Sequence, residues 1–311
     1  MLSKVHSTDL GSKMDQSKEQ GQKIIDQHLE HQRTFRENTY VYPVVSRRSK
    51  GVSIGVNLNP DKICNFDCIY CQVDRKTAAV TRFVDTEMIL SELSSMIDLV
   101  VTEDLFEEPE FVTVPDAMRR LNDIAFSGDG EPTTARNFEE IVDRVASLKK
   151  EKGLDHVKIV LITNATMFHR PKVKEALAIL DQNNGEIWAK LDAGTEPYYR
   201  QIDKSVIPFH RILTNLQEAA QLRPLVIQTL FMNVDGVPPT DSEIDSYCER
   251  LNEILQHGGE INRIQIYTVA RKPAVETVTP LTRGRLDQIA DRVAQQVPRP
   301  VERFYGPESL G

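Results

Sequence analysis

The sequence predicts an α/β fold, a partial (βα)6 TIM-like barrel of parallel strands with helices outside. Short β-branched runs alternate along the chain with amphipathic stretches of about 12 to 18 residues. Loops rich in Gly, Asn or Asp separate them. Six such strand–helix units follow one another, and this order is typical of a parallel sheet covered by helices.

The elements of these six units can be placed in order. The predicted strands are 52–58, 123–127, 157–163, 186–192, 225–230 and 263–269. The predicted helices are 86–101, 138–150, 171–180, 209–222, 241–257 and 282–296. We expect Asp241 and Ser242 to cap the fifth helix, because Pro238 and Pro239 exclude helix before them. Residues 103–121, acidic and then basic, are predicted to form a surface loop.

The chain divides into two parts of unequal size. Residues 1–20 are polar, with few apolar side chains, and helical spacing of apolar residues begins only near Ile24 and reaches Phe35. We therefore expect a flexible segment and a helix over residues 1–38. Residues 39–311 are expected to form the core domain with a C-terminal tail.

Composition excludes some classes of protein. The 311 residues include 46 acidic and 38 basic side chains, giving a net charge of −8 and a pI of about 5.5, so a globally basic, phosphate-tracking surface is excluded. The first residues are polar, the mean hydropathy is −0.37, and no segment approaches the roughly 18 apolar residues of a membrane span. We expect a cytoplasmic protein without a membrane segment.

Three of the four cysteines lie within one short stretch, as Cys64, Cys68 and Cys71. They follow the first predicted strand, and their spacing is short enough for the thiolates to converge on one metal centre. A cubane iron–sulfur cluster normally takes four thiolates, so three would leave one iron free to bind a further group. Structural zinc is the alternative, but closed zinc sites need four ligands. No second Cys-x-x-Cys motif is present, and the nearest histidine, His31, lies on another predicted element.

Polar residues also follow several other predicted strands. Residues 128–132 read Gly-Asp-Gly-Glu-Pro after the second strand, Asn164 follows the third, and Asp192 closes the fourth. Thr268 and Arg271 lie at the end of the sixth. Because the active sites of parallel barrels lie at the carboxyl ends of the strands, we expect these residues to gather there with the cysteines.

These motifs resemble those of a known enzyme superfamily. The string Cys-x-x-x-Cys-x-aromatic-Cys at residues 64–71 resembles the signature of the radical S-adenosylmethionine (SAM) enzymes. Residues 126–133 resemble the superfamily's glycine-glycine-glutamate segment, and Ser46-Arg47-Arg48 upstream adds to the likeness. Over roughly residues 40–280 the sequence is similar to single-domain members related to wyosine-type tRNA synthases.

The resemblance implies a cluster and a cofactor. Cys64, Cys68 and Cys71 would ligate three irons of a [4Fe-4S] cluster, and the amino and carboxylate groups of SAM would chelate the fourth. An electron from the reduced cluster would break the sulfonium bond to C5′ and release a 5′-deoxyadenosyl radical. That radical would abstract hydrogen from a substrate that the sequence does not identify.

The second loop is expected to hold the methionine part of SAM. Gly128 and Gly130 would allow close approach and positive φ, Glu131 would accept from the ammonium group, and Pro132 belongs to the same loop. The alternative is an ordinary turn rich in Gly and Pro.

Further contacts are expected along the nucleoside of SAM. Asn164 or Asp192 would hydrogen-bond the ribose hydroxyls, although both residue types also cap turns. The resemblance places Tyr70 near the adenine, and the backbone of Val269 could bond the adenine edge.

Other residues are predicted to have structural roles. Lys190 alternates with Leu191, so it could point into the barrel beside Asp192 or outward into solvent, and we expect the outward direction. Trp188 is expected to pack in the core. Cys248 shares one helical face with Ile244 and Leu251, so we expect a buried thiol.

The sequence leaves the substrate class open among RNA, protein and small molecules. RNA modification is the best-known activity of the related subgroup, but no cysteine precedes Cys64 to hold an auxiliary cluster, and the acidic net charge does not favour a polyanion. A glycyl-radical-enzyme activator and a non-catalytic iron–sulfur or zinc-binding protein are the alternatives. The enzyme would need an electron donor such as flavodoxin or ferredoxin, and no membrane.

Overall fold

The computed structural model describes residues 35–46, 50–79, 81–271, 273 and 275–306. The predicted helix at 24–35, except for Phe35, and the basic pair Arg47 and Arg48 lie outside these residues. The strands are β1 (Val41–Ser46), β2 (Gly51–Val56), β3 (Leu121–Phe126), β4 (Lys158–Thr163), β5 (Gly185–Lys190), β6 (Leu225–Leu230), β7 (Met232–Val234), β8 (Ile261–Tyr267), β9 (Val278–Pro280) and β10 (Val301–Phe304).

Eight of these strands form one curled sheet in the order β1-β2-β3-β4-β5-β6-β8-β10, and β7 pairs with β9 separately. Each neighbouring pair from β2 to β10 is parallel, whereas β1 runs antiparallel to β2. β1 and β10 are the two edges of the sheet, so within the described residues it forms a half-barrel that does not close. The predicted fold class is confirmed.

Helices cover the outside of the sheet. They are α1 (Thr86–Val101), α2 (Phe138–Glu151), α3 (Pro171–Gln182), α4 (Glu196–Ile202), α5 (Phe209–Ala220), α6 (Asp241–Gln256) and α7 (Arg283–Gln296). Their apolar faces pack with the outward side chains of the strands in one large core. No helix in the described ranges has both the length and the apolar character that crossing a membrane requires.

The cap prediction for α6 is wrong by one residue. Thr240 is the N-cap, and its hydroxyl accepts from the Glu243 N–H at 3.2 Å. Asp241 and Ser242 therefore lie in the first turn, because the helix begins only after the extended Thr240. Some predicted strands also extend too far: β5 ends at Lys190, so Asp192 lies two residues beyond it.

Residues 103–121 are not simply a surface loop. They contain two 3-10 helices, at Asp104–Glu107 and Asp116–Met118. The apolar side chains of this stretch are buried, namely Leu105, Phe106, Phe111 and Val114. Charged residues lie between these apolar residues, so the stretch shows no regular apolar spacing in the sequence.

Phe35, the first described residue, already belongs to the packed core. Phe35 is 7% exposed, and its ring meets Phe111 edge-on with 6.3 Å between centroids. Asn38 donates to the Val41 carbonyl at 2.9 Å and ties this segment to β1. We therefore move the proposed domain boundary from residue 39 to before residue 35.

Polar side chains line the inside of the half-barrel in registered rows. Lys190, Gln228, Gln265 and Glu302 lie side by side on β5, β6, β8 and β10. Toward the amino ends of the strands, Arg263 donates to both carboxylate oxygens of Glu186 at 2.9 and 2.8 Å. Burial opposes ionisation of Glu186, but hydrogen bonds from Arg263 and Trp188 lower its pKa to about 2. A row of polar side chains and an ion pair therefore join neighbouring strands of the half-barrel.

Candidate active site

A cavity of about 400 Å³ occupies the inside of the half-barrel and reaches the carboxyl ends of its strands. This volume lies in the range of small-molecule sites. Eight of the predicted site residues line it: Cys64, Cys68, Tyr70, Cys71, Gly128, Gly130, Glu131 and Asn164. Pro132, Asp192 and Val269 do not belong to its lining.

The cysteine loop rests on α4 and the turn that follows it. The backbone N–H groups of Asp67 and Ile69 donate to the carbonyls of Asp203 and Ile202, at 3.0 and 2.9 Å. The Ser205 hydroxyl donates to the Asn65 carbonyl at 3.1 Å. These bonds replace a regular element and hold an irregular loop in one conformation.

An aromatic stack anchors the same loop from below. The Phe66 ring meets Tyr199 edge-on at 5.7 Å, and Tyr199 stacks on Phe209 of α5 at 5.0 Å. Phe66 and Tyr199 are 6% and 2% exposed. The cysteines therefore project from a loop whose position is fixed by apolar packing as well as by hydrogen bonds.

Cys68 faces a buried acid that sequence reasoning missed. Its Sγ–H donates to Asp203 Oδ1 at 3.3 Å. Burial, followed by the charge of Asp203, raises the pKa of the Cys68 thiol well above its usual range, and burial also raises the pKa of Cys64. The pKa of Asp203 is itself raised to about 8, by burial and then by Asp192. No motif marks Asp203, because it follows a helix too short to be predicted.

Cys71 faces a cation instead. Arg75 Nη2 donates to Cys71 Sγ at 3.7 Å, and Arg75 Nη1 donates to the Lys62 carbonyl at 2.7 Å. The guanidinium thus joins both ends of the loop and places a positive charge beside the Cys71 sulfur. Its position four residues after Cys71 is the only signal of it in the sequence.

The two glycines of the second loop let that loop pack against the cysteine loop. A Cβ atom at Gly128 would lie 2.2 Å from Asn57 Oδ1, and one at Gly130 would lie 2.3 Å from the Ile63 carbonyl oxygen. Neither glycine has a positive φ. Of the two properties that glycine allows here, the structure uses close approach and not positive φ, and the space that the missing Cβ atoms leave is taken by the chain itself.

Glu131 joins the second strand exit to the third. Its Oε1 accepts from the Thr133 backbone at 3.2 Å, from the Thr133 hydroxyl, and from the Thr163 hydroxyl at 2.7 Å. Its Oε2 accepts from the Asn164 N–H at 2.7 Å. Burial raises the pKa of this carboxyl, although these hydrogen bonds oppose the effect. Glu131 therefore holds two loops together, and the predicted contact with an ammonium group stays a prediction.

Asn164 connects the third exit to the cysteine loop. Its Nδ2 donates to Asn65 Oδ1 at 2.7 Å, and its Oδ1 accepts from the Thr166 N–H at 3.1 Å and the Thr166 hydroxyl at 2.7 Å. The side-chain oxygen of Asn164 thus caps a local turn, which is the alternative role considered for this residue. The ribose contact expected for Asn164 stays a prediction.

The prediction that Lys190 points into solvent is wrong. Its Nζ lies inside the cavity, 3.1 Å from Asp192 Oδ2 and 2.9 Å from the Tyr267 hydroxyl. It also stands over the Tyr70 ring at 5.0 Å. Burial disfavours the charged form, but Asp192, Tyr267 and Cys68 together outweigh burial and raise the pKa of Lys190. Side chains alternate between the two faces of β5, so Lys190 points to the same inner face as Trp188. This alternation is the sequence signal for the inward direction of Lys190.

Asp192 lies behind this lysine. It accepts from the Tyr70 hydroxyl and from the Leu230 N–H at 2.7 Å, and its side chain is 1% exposed. Val269, 3% exposed, packs with Ile69 and Tyr70 in a small apolar cluster. Both residues therefore support the wall of the cavity from outside it.

Gln228 presents an oriented oxygen to the middle of the cavity. The Glu302 carboxylate accepts from Gln265 Nε2 at 3.0 Å, so Gln265 Oε1 faces Gln228 and accepts from its Nε2 at 2.9 Å. This relay leaves Gln228 Oε1 as the acceptor on the cavity side. Gln228 belongs to no sequence motif, and its place in the site is evident only from its strand neighbours Lys190 and Gln265.

The donor set fits a cluster held by three thiolates. Three cysteines line one cavity, yet in the described part of the chain no three His, Cys, Asp or Glu side chains are grouped to hold a single metal ion. Thiolates that each ligate a different iron stand further apart than ligands of one ion. The fourth cysteine, Cys248, is fully buried among the apolar residues of the core, as predicted.

The pattern of the Radical SAM superfamily matches residues 58–236, which include the cysteine loop, the second loop and Lys190. The chain belongs to the radical SAM superfamily. The resemblance to this superfamily, stated from the sequence, is confirmed. Members of the superfamily use a [4Fe-4S] cluster and SAM.

Two sequence relatives differ in how much of their length is matched. A UPF0026 protein of Synechocystis sp. is 27% identical over 232 residues, covering 72% of this chain and 74% of the relative. The GTPase Obg of Brachyspira hyodysenteriae is 22% identical over 251 residues, covering 79% of this chain but only 32% of the relative. The chain thus spans about a third of the length of the second relative.

A solved structure has the same fold. A radical SAM methyltransferase from Sphaerobacter thermophilus superposes with a TM-score of 0.60 at 13% identity. The match covers 87% of this chain and 70% of the methyltransferase. At this identity the likeness concerns the fold.

Proposed function

We propose that this protein is an iron–sulfur enzyme that cleaves SAM reductively and removes a hydrogen atom from a substrate held in the same cavity. The supporting observation is that three thiols line one cavity together with the Gly128–Glu131 loop. When bound, the cluster and SAM would supply the electron and the 5′-deoxyadenosyl radical. The cysteines proposed as cluster ligands are Cys64, Cys68 and Cys71.

The remaining residues would hold and shape this site. Asp203 and Arg75, at the sulfurs of Cys68 and Cys71, are positioned to fix two of the three ligands. Glu131 joins the second strand exit to the third, and Asn164 joins the third to the cysteine loop. Lys190 places a positive charge on the cavity wall, where the polar ends of SAM or of substrate would meet it.

Cleavage of SAM tests the proposal directly. Protein loaded anaerobically with iron and sulfide is reduced with dithionite in the presence of SAM, and 5′-deoxyadenosine is measured by mass spectrometry. We expect product from the unmodified protein and from Cys248→Ala, whose thiol lies outside the cavity. Equal product from the triple variant Cys64→Ala, Cys68→Ala, Cys71→Ala would refute the proposal.

Two assays distinguish the candidate classes of substrate. RNA modification predicts a tRNA mobility shift at low salt, whereas activation of a partner enzyme predicts a glycyl-radical EPR signal when that partner is added. We also propose that the protein functions in a reducing compartment such as the cytoplasm, because the site requires free thiols.

A further inference from the structure

We propose that Gln228 and Lys190 form a substrate subsite that binds a neutral amide edge, with C=O and N–H side by side, as a primary carboxamide presents it. This rests on the proposed function, because the amide would belong to the substrate of that reaction. We define the amide subsite by Gln228, Lys190 and the neighbouring Trp188, all three of which line the cavity.

Gln228 supplies the hydrogen-bond acceptor of the amide subsite. The residue is 1% exposed, its Nε2 donates to Gln265, and among the described residues no donor reaches its Oε1. The Glu302 carboxylate fixes this orientation through Gln265 and is itself held by Arg263 Nε at 3.3 Å. Because buried acceptors in folded proteins are rarely left without a donor, a donor on the ligand is expected here.

Lys190 supplies the hydrogen-bond donor from the next strand. It is paired in register with Gln228 between β5 and β6, and such strands lie roughly 4.8 Å apart. Its partners in the described chain are Asp192 at 3.1 Å and the Tyr267 hydroxyl at 2.9 Å. An ammonium group has three N–H donors, so one is left for a ligand. A trans peptide bond points its C=O and N–H in opposite directions, whereas a primary carboxamide presents both on one edge.

The charges around the amide subsite favour a neutral ligand. Lys190 is already paired with Asp192, whose side chain is 1% exposed, and Arg263 is shared between Glu186 and Glu302. A carboxylate would offer no donor to Gln228 and would add a charge without a counter-charge. An ammonium group would offer no acceptor to Lys190 and would repel it. A neutral amide satisfies both residues and loses less hydration on burial.

Apolar side chains lie beside the amide subsite. Ala125, Ile162 and Trp188 line the cavity and pack together in a cluster separate from the main core. Trp188 Nε1 donates to Glu186 at 2.7 Å, so the polar edge of the indole is turned toward the amino end of β5. The rest of the ring is apolar and suits a flat apolar group attached to the amide.

Binding of three probes of similar size tests the amide subsite. Full-length, cluster-loaded enzyme is titrated calorimetrically, without reductant and with SAM present, with benzamide, acetophenone or benzoate. The emission of Trp188, the only tryptophan in the chain, shows whether a probe reaches the cavity. We expect benzamide to bind at least about tenfold more tightly than acetophenone and benzoate, which offer no N–H to Gln228. Equal affinities, or tighter binding of benzoate, would overturn the proposal.

Variants of the acceptor and of its support separate recognition from folding. Gln228→Met should remove the preference for benzamide over acetophenone. Glu302→Met leaves Gln265 without its acceptor, so the amide of Gln228 is no longer oriented, and the preference should fall at least about threefold. The Glu302 side chain is 44% exposed, so this second variant perturbs packing little. The control Gln295→Met changes an exposed glutamine of α7 outside the cavity and should keep the preference. An unchanged preference in whichever of the two test variants folds would overturn the proposal.

SAM cleavage by the unmodified protein separates this proposal from the proposed function. Selective binding of benzamide without any formation of 5′-deoxyadenosine would refute the proposed function alone. Cleavage of SAM by a protein that binds the three probes equally would refute only the amide subsite.

Discussion

At the scale of single residues, the site depends on side chains that fix loops to one another. Glu131 receives four hydrogen bonds from three residues on two loops. A carboxylate can accept all four, but a glutamine side chain must turn its NH2 group toward one set of donors.

We therefore predict that Glu131→Gln destabilises the protein by about 2 kcal/mol, the loss expected for buried hydrogen bonds to a charged group. Chemical denaturation of the metal-free protein measures it. Glu140→Gln on the exposed face of α2 is the control and should change stability by less than about 0.5 kcal/mol. Equal effects would show that Glu131 does not tie the loops.

The close approach at Gly130 leads to a second prediction. In Gly130→Ala the new methyl group would push against the Ile63 carbonyl, next to Cys64, and displace the cysteine loop. We expect iron bound per chain after anaerobic loading to fall by at least about half, since misplaced ligands lose affinity. Gly284→Ala, where no atom lies within 4 Å, should load normally, and a normal iron content in Gly130→Ala would contradict this account.

Residue types at the strand exits were sufficient to predict which loops form the cavity, but not which atoms face it. Asp192 stands behind Lys190 because β5 ends earlier than expected. Asp203 and Gln228 face the site through contacts with residues distant in sequence, and a single sequence carries no signal for such contacts.

At the scale of elements, the interior ion pair links β5 to β8. The pKa of Glu186 lies near 2 when the protein is folded and near 4.5 when unfolded. A carboxyl group whose pKa is lowered by folding stabilises the protein above its unfolded pKa, and this stabilisation is lost as the pH falls through the folded pKa.

We predict that the stability difference between the unmodified protein and Glu186→Gln shrinks by about 2 kcal/mol between neutral pH and about pH 2.5. Urea unfolding across this range measures it. Glu218→Gln removes an exposed pair with Lys174, in which both side chains are about half exposed, and should give a small and constant difference. A constant difference for Glu186→Gln would contradict the assigned ion pair.

Length explains which elements the sequence could reveal. The six long helices and the six central strands repeat their apolar pattern enough times to be recognised. β1 carries Pro43, typical of an edge strand, β10 has four residues and α4 has seven. These short elements matter, since β1 and β10 form the two edges of the half-barrel and α4 supports the cysteine loop.

At the scale of the whole molecule, both edges of the sheet contribute to one cavity. Val44 and Ser46 of β1 line it, as do Phe304 of β10 and the adjoining Tyr305. The cavity therefore extends from the cysteine loop to both edge strands.

The extent of the core gives a prediction for the domain boundary. A chain beginning at residue 35 retains the contact between Phe35 and Phe111, whereas one beginning at residue 39 loses it. We expect the shorter chain to be less stable by about 2 kcal/mol, the order of the free energy gained by burying a phenylalanine side chain. Equal thermal midpoints for the two truncated chains would show that Phe35 is not part of the domain.

The central claim is that three cysteines hold a cluster with one iron left for SAM, and EPR of the reduced, cluster-loaded protein tests it most directly. Adding SAM should change the g values of the cluster signal, and the change should persist in Cys248→Ala. A signal that SAM leaves unaltered, or a cluster that forms equally well without Cys64, Cys68 and Cys71, would contradict the claim.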